Sequence, residues 1–518
     1  VPTRLLSRAA ALSGWRADLL AAAFGALSAL ALPPLYVLPL LLVAVPGLLA
    51  LIDGAGTAGR GARRGFWFGF AHHLIGLYWV TEAVLVEAAR YWWLVPLAVP
   101  ALAAVLAPFI AVACGVARLA RPGWRRAVTL AGAWVAADLL RQFIATGFPW
   151  NPWGADWAVP GGFGDIFIQP AAWVGTPGLT LFTVLIAATP ALGARALAAG
   201  AVGLLLWAGA GLWRLHAATP TPAPGVGVVV VQGNVPQDTK WDMRLAVAHF
   251  EHYLTLTRAG LARMRAELPQ DARLVAVWPE SASPFALNVD AGARAALAEA
   301  AGGVPVLAGS VSYDQLDRPE NSLVAVLDPG PVREIYSKWH LVPFGEYSPG
   351  WVPVAVQLVR GGGFHPGPGP ETLRVPGLPP VGPLICYEAI FPGQVADAAD
   401  RPDWLVNITN DAWFGNSSGP RQHLIAARLR AVEEGLPLVR AANTGISAVF
   451  DALGRERQRL GLGVTGTLAV ALPGPLPAPP FAQFGLRIPG TLALACLLLG
   501  LSARRPVPNR PGVRKNSG

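Results

Sequence analysis

Seven apolar stretches, each near the ~20 residues a helix needs to cross the hydrocarbon core of a bilayer, succeed one another through the first part of the chain. They read as spans near Leu19–Leu32, Leu35–Ile52, Phe66–Val80, Trp92–Ala117, Ala127–Phe143, Ile166–Ala188 and Ala196–Trp213, with an eighth near Ile488–Leu501. This succession constrains the chain to a multi-pass membrane protein. Composition agrees: 14% of residues are charged, where about 25% is usual for a soluble protein. At 518 residues the chain has room for two or three domains.

The net charge of +9 does not point to nucleic acid, because the basic residues cluster beside apolar runs. Arg4, Arg8 and Arg16 precede the first span, and Arg60, Arg63 and Arg64 lie between the second and third. Arg118, Arg121, Arg125 and Arg126 lie between the fourth and fifth, Arg195 between the sixth and seventh. Arg504, Arg505, Arg510, Arg514 and Lys515 follow the eighth, while the alternate loops hold mainly Arg90 and Arg141. The positive-inside rule then predicts that both termini are cytoplasmic and that the long segment between spans seven and eight is outside. The first span also has the look of a secretory signal, with Ala29-Leu30-Ala31 as a cleavage-like site; the spans that follow at once favour an uncleaved anchor.

The outer segment has a different texture. Short β-branched runs (Val226–Val231, Leu274–Val277, Val304–Leu307, Leu323–Leu327, Val381–Ile385, Trp404–Ile408, Leu438–Ala441) alternate with helical patterns at Met243–Glu267, Ala291–Ala301 and Gln422–Glu434. Such alternation predicts layered α/β architecture. The expected organisation is a transmembrane domain over 1–217, a catalytic domain over 218–480, and a last span with a basic tail over 481–518.

Of three cysteines, Cys114 and Cys496 lie in apolar runs, so only Cys386 belongs to the polar part and no disulfide framework is available there. A lone cysteine is more often a small buried hydrophobe than a nucleophile. Yet three stretches share a design, a reactive side chain just past a strand-like run: Val275–Val277 leading to Glu280, Val332–Ile335 to Lys338, and Pro383–Ile385 to Cys386. Carboxylate, amine and thiol are the ingredients of covalent acyl transfer. A free thiol has a pKa of about 8.5 and needs a partner to ionise. Glu280 would take its proton if burial lifted the carboxylate towards neutrality, and Lys338 as a cation would stabilise thiolate and oxyanion. Singly, Glu280 also reads as a helix cap and Lys338 as a surface cation.

Their joint occurrence carries more. Trp278-Pro279-Glu280, the run Lys338-Trp339-His340-Leu341-Val342-Pro343-Phe344-Gly345-Glu346-Tyr347, and Cys386-Tyr387-Glu388 resemble the three catalytic motifs of the nitrilase superfamily, and more narrowly of its membrane-bound branch, the bacterial apolipoprotein N-acyltransferases. Gln232–Gln237, Lys240-Trp241, Asn407–Gly415, Gln422-His423-Leu424 and Arg440–Ser447 are similar as well, in the family's order. The resemblance implies an αββα sandwich outside a bacterial inner membrane. It implies transfer of a fatty acyl chain from a phospholipid to the N-terminal amine of a diacylglyceryl-modified apolipoprotein, with the membrane as setting and no cofactor, metal or nucleic acid. By position Glu280 is the base, Lys338 the oxyanion and thiolate stabiliser, and Cys386 the nucleophile. Glu346, Tyr387 and Glu388 support them, and Trp241, Trp413 and Phe414 match loops near the family's site entrance.

Two other readings compete. A membrane-tethered amidase or nitrilase keeps the chemistry and changes the acceptor. A transporter or scaffold with a degenerate domain predicts a missing catalytic residue, and none is missing. The His72-His73 pair lacks a carboxylate at metal-ligand spacing, and His249 with His252 lacks a third ligand.

Overall fold

A computed structural model describes residues 2–86, 88–240, 242–269, 272–348 and 363–502, and each expected span overlaps a helix. The N-terminal part comprises α1 (Pro2–Ala11), α2 (Gly14–Ala29), α3 (Leu41–Gly54), α4 (Ala58–Gly76), the short α5 (Val80–Leu85) and α6 (Ala88–Tyr91), α7 (Val95–Leu119), α8 (Trp124–Arg141), the short α9 (Gly162–Phe167), α10 (Ala171–Ala188) and α11 (Ala194–Ala217). By length and composition, Ala88–Leu119, Ala171–Leu192 and Ala194–Ala217 can each cross a membrane, while Leu38–Gly54 and Arg487–Leu501 are shorter apolar helices. Helices α2, α4 and α8 bury polar groups, α4 with Arg64, His72 and His73. Helix α4 lies close to α7 because Gly61, Gly65 and Gly69 recur every four residues. A Cβ at Gly65 would come within 2.6 Å of Cys114 Cβ, the small-residue packing that membrane helices use in place of a hydrophobic drive. That contact accounts for Cys114.

The second part holds β1 (Val226–Gln232), α12 (Ala246–Glu267), β2 (Arg273–Val277), α13 (Ala291–Ala301), β3 (Val306–Tyr313), β4 (Pro319–Val326), β5 (Glu334–Ser337), β6 (Val381–Ile385), β7 (Trp404–Thr409), α14 (Gly419–Glu434), β8 (Leu438–Ala442), β9 (Ser447–Phe450), β10 (Glu456–Leu460) and β11 (Gly466–Ala471). The short α15 (Pro480–Phe484) and α16 (Arg487–Leu501) return to the bundle. Two sheets form, in the orders β11-β1-β2-β3-β4-β5 and β10-β9-β8-β7-β6. The pairs β1–β2, β2–β3, β6–β7 and β7–β8 are parallel and the rest antiparallel. The sheets face each other across a core that includes Val228, Val230, Val277, Leu307, Ile385, Val406 and Val439. The opposite face of the first sheet packs on α12 and α13 through Val229, Val231, Phe250 and Leu297. The opposite face of the second packs on α14 through Leu405, Leu438, Leu424 and Ala431. The expected αββα sandwich is thus present. Strand β1 is buried along its whole length, which is why its sequence is a continuous valine run and not an alternation.

Candidate active site

The parallel strands decide what meets. β2, β5 and β6 each end at the same edge of the sandwich, and Glu280, Lys338 and Cys386 follow them within three residues. All three side chains are buried. Cys386 has φ +51°, a left-handed turn that a non-glycine residue adopts only when its surroundings enforce it. Here the backbone passes straight from β6 into a turn of 3-10 helix, Cys386–Ile390.

Lys338 Nζ lies 3.4 Å from Glu280 Oε1 and 2.9 Å from Glu346. Asn321 Nδ2 donates to both carboxylates, at 2.7 Å each. Glu280 Oε2 accepts from the Asn410 N–H at 2.8 Å, and Lys240 Nζ donates to the Glu280 carbonyl at 3.0 Å. Glu346 is held by the Val342 N–H at 2.8 Å. The two glutamates therefore flank one lysine, with an asparagine spanning them.

The electrostatics overturn one expectation. Burial does push the Glu280 carboxyl upward, but Lys338, Asn321, Lys240 and the Cys386 thiol outweigh it, and its pKa ends below the ordinary value. Burial works against the Lys338 cation, and Glu346, Glu280 and Cys386 more than restore it, so its pKa is raised. Burial raises the Cys386 thiol, with Glu280 adding and Lys338 opposing. Lys240 is lowered by burial to about 8, against Glu280 and Cys386. The resting site is a neutral thiol beside a carboxylate and a firm cation.

Around this centre the nucleophile's loop is tied down. Glu388 accepts from the N–H of Ile385 at 2.6 Å, of Trp339 at 2.9 Å and of His340 at 3.4 Å, linking the cysteine turn to the lysine loop. Tyr387 donates to the Gly147 carbonyl at 2.6 Å, and His340 to that of Thr146 at 2.7 Å. Both acceptors belong to the helical bundle. His423 Nε2 donates to the Cys386 carbonyl at 3.0 Å, since a carbonyl only accepts. Its Nδ1 lies 2.9 Å from Asp411, which pairs with Arg440 at 2.7 Å. Phe414 packs edge-on to Trp79 with centroids 4.7 Å apart, and Trp413 is half-buried beside it. Trp241 lies outside the described residues.

Asn321, Lys240 and the Asp411–His423–Arg440 group are absent from the set expected on sequence. The last two sit inside motif runs where they carried no separate chemical signal, and a single asparagine in β4 carries none at all. Among the described residues no group of three or more His, Cys, Asp and Glu side chains is placed to hold a metal.

Residues 24–189 match the family described as apolipoprotein N-acyltransferase N-terminal domain, and residues 263–474 match the carbon-nitrogen hydrolase family. The chain is 38% identical over 527 residues to the apolipoprotein N-acyltransferase of Rhodopseudomonas palustris, covering 95% of this chain and 96% of that one. It is 40% identical over 534 residues to the apolipoprotein N-acyltransferase of Bradyrhizobium diazoefficiens, covering 96% of each. Among solved structures, an amidase of Nesterenkonia from the nitrilase superfamily is similar at 21% identity over 51% of this chain and 94% of that one, with a TM-score of 0.35.

Proposed function

Because the chain belongs to the apolipoprotein N-acyltransferase family, we propose that Cys386 carries the fatty acyl group as a thioester between a phospholipid donor and the N-terminal amine of a diacylglyceryl-modified apolipoprotein. The carrying observation is the convergence of Glu280, Lys338 and Cys386 at three strand ends, with Lys338 paired to both glutamates. In the first half-reaction Glu280 takes the thiol proton as sulfur attacks an ester carbonyl. Lys338 stabilises the oxyanion, and collapse expels the lysophospholipid alkoxide, which recovers the proton from Glu280. In the second the acceptor amine attacks the thioester, Glu280 takes its proton, and the thiol is released as the amide forms. Glu346 keeps Lys338 charged, Glu388 fixes the turn, and Tyr387 holds it to the bundle. Trp413 and Phe414 border the route in, as would Trp241.

The proposed topology has both termini in the cytoplasm and the catalytic domain on the periplasmic side of the inner membrane. What supports it is an asymmetry of the bundle. Arg64 with the Leu51 carbonyl, Arg118 with that of Ala55, Arg126 with Asp53 and Arg125 with Ser502 gather at one end. Gly76, Pro33, Thr146 and Gly147 meet the catalytic domain at the other.

Intact-mass analysis after incubation with phospholipid tests the chemistry. A fatty-acyl adduct is expected, removable by hydroxylamine and abolished in Cys386→Ala. A diacylglyceryl peptide should discharge it and gain the acyl mass. An unmodified wild-type Cys386 sinks the proposal, and discharge by water alone favours the amidase.

A further inference from the structure

Helix α14 runs between the catalytic domain and the bundle and presents different faces to two places. His423 faces the Cys386 carbonyl. Arg421, Leu424, Ile425 and Arg428, spaced as one stripe of a helix, line a cavity of about 430 Å³ elsewhere. That volume lies in the range of small-ligand sites. Its other walls are the α2–α3 connection at Pro34 and Tyr36, the segment around Gly161 and Asp165, and the β9–β10 hairpin. None of Glu280, Lys338 and Cys386 lines it.

The lining of this cavity is rich in guanidinium. Arg421, Arg428, Arg455 and Arg459 share it with two carboxylates, Asp165 and Glu456, while Asp451, outside the lining, pairs with Arg455. Arg421 donates to Ser417 O and, at 3.1 Å, to Asn416 Oδ1. Arg428 is committed to the walls, donating to Gly454 O at 2.8 Å, Ala158 O at 3.0 Å and Asp165 at 2.6 Å. Arg455 gives its Nε to Asp451 at 2.8 Å, which leaves its two Nη groups. Arg459 has Glu456 at 3.7 Å, beyond hydrogen-bond reach. Tyr36 lines the same cavity as Arg428 and Arg459. Guanidinium forks match phosphate oxygens, and a tyrosine hydroxyl adds a donor. Leu424, Ile425 and Phe450 supply an apolar side that a free phosphate has no use for. The α2–α3 connection and the segment before α10 place the cavity at the bundle end that meets the catalytic domain, which the proposed topology sets at the outer headgroup layer.

We propose that this cavity holds the phosphodiester headgroup of a phospholipid, at a site separate from the one that supplies Cys386. A lipid there is gripped by both domains at once and seals the seam between them. The proposal rests on the outward orientation of the catalytic domain argued above.

The test uses the full-length chain in detergent with Cys386→Ala, so that no acyl group is consumed, and counts retained phosphatidylglycerol by native mass spectrometry. Arg455→Gln with Arg459→Gln is expected to retain one lipid fewer, or to need about tenfold more lipid for the same count, each ~1.4 kcal/mol being tenfold in affinity. Tyr36→Phe, a milder change, should weaken retention in the same direction if the double variant folds poorly. Inorganic phosphate is the competing arm. Unchanged retention in both variants overturns the site, and displacement of the lipid by phosphate at equal concentration makes it a free-phosphate site and overturns the lipid assignment. With Cys386 restored, loss of the acyl adduct in wild type would sink the thioester reading and leave the lipid count as it was, so the two fail separately.

Discussion

Glu280 is the residue at which geometry changes the chemistry most. A carboxylate raised towards neutrality would be a strong base at rest. One in which burial is outweighed by Lys338 and Asn321, so that it lies below the ordinary value, is a weaker base at rest and, on the proposed mechanism, takes the thiol proton as the transition state forms. The alkaline side depends on Lys240, whose cation faces Glu280 and Cys386 and whose pKa is about 8. Protonated below that value, it favours negative charge on sulfur; deprotonated above it, it no longer does. Acyl-enzyme formation is therefore expected to fall as pH rises through about 8. Single-turnover acylation of Lys240→Met, followed by intact mass across pH, should lack that limb while keeping the acid limb, which belongs to Glu280 and lies below the usual carboxylate range of ~4.3. A wild-type profile flat through 8 removes Lys240 from the account. That Glu280, Lys338 and Cys386 come together was legible in the sequence because each follows a strand-like run within a longer motif. Asn321 was not, because its partners lie 41 and 25 residues away and no local pattern announces them.

At the scale of elements, the break in α10 shows how the catalytic domain enters the bundle. Gly175 has φ +68° and the helix restarts after it. A Cβ there would meet Phe481 of α15 at 2.2 Å. The buried N-terminus of the second half is capped from another domain: Glu433 of α14 accepts from Thr176 N at 2.6 Å and Thr176 Oγ1 at 2.7 Å, and pairs with Arg430 at 3.1 Å. Negative charge at a helix N-terminus is favourable, and losing this one strands a buried arginine, at a cost of about 3–5 kcal/mol. Glu433→Ala should lower the thermal unfolding midpoint by several degrees, with Glu433→Gln between it and wild type because an amide oxygen still accepts from Thr176. Equal midpoints for all three would refute this cap. The elements themselves were legible unevenly. β1, β6, β7 and β8 carried apolar runs because both faces are buried. β10 reads Glu-Arg-Gln-Arg-Leu and is mostly exposed at the sheet edge, so hydrophobic pattern had nothing to report. β5 came two residues later than Val332–Ile335 suggested, since its register is set by pairing with β4.

Across the whole molecule, the proposed orientation is open to direct measurement. In a chain whose three native cysteines are replaced by alanine, Met243→Cys, exposed on the catalytic domain, should react with a membrane-impermeant maleimide in spheroplasts. Arg63→Cys, at the opposite end of the bundle, should react only after lysis; the reverse pattern would invert the topology. Sequence made the positions of the apolar helices legible, each expected span overlapping a helix. It left the seam illegible, because the seam consists of distant pairs. Gln422 alone uses all four hydrogen bonds of its amide there, accepting from Trp79 at 3.0 Å and Trp150 at 2.8 Å and donating to Pro33 O at 3.1 Å and Gly76 O at 3.3 Å. With Tyr387 and His340 fastened to Gly147 and Thr146, the sulfur stands at a set height above the bundle. An enzyme so built has no arm to swing. On the proposed function, donor and acceptor have to reach it by drifting sideways within the leaflet, and the encounter becomes a problem in two dimensions, governed by how many lipids crowd each patch of surface and not by how much of either is dissolved.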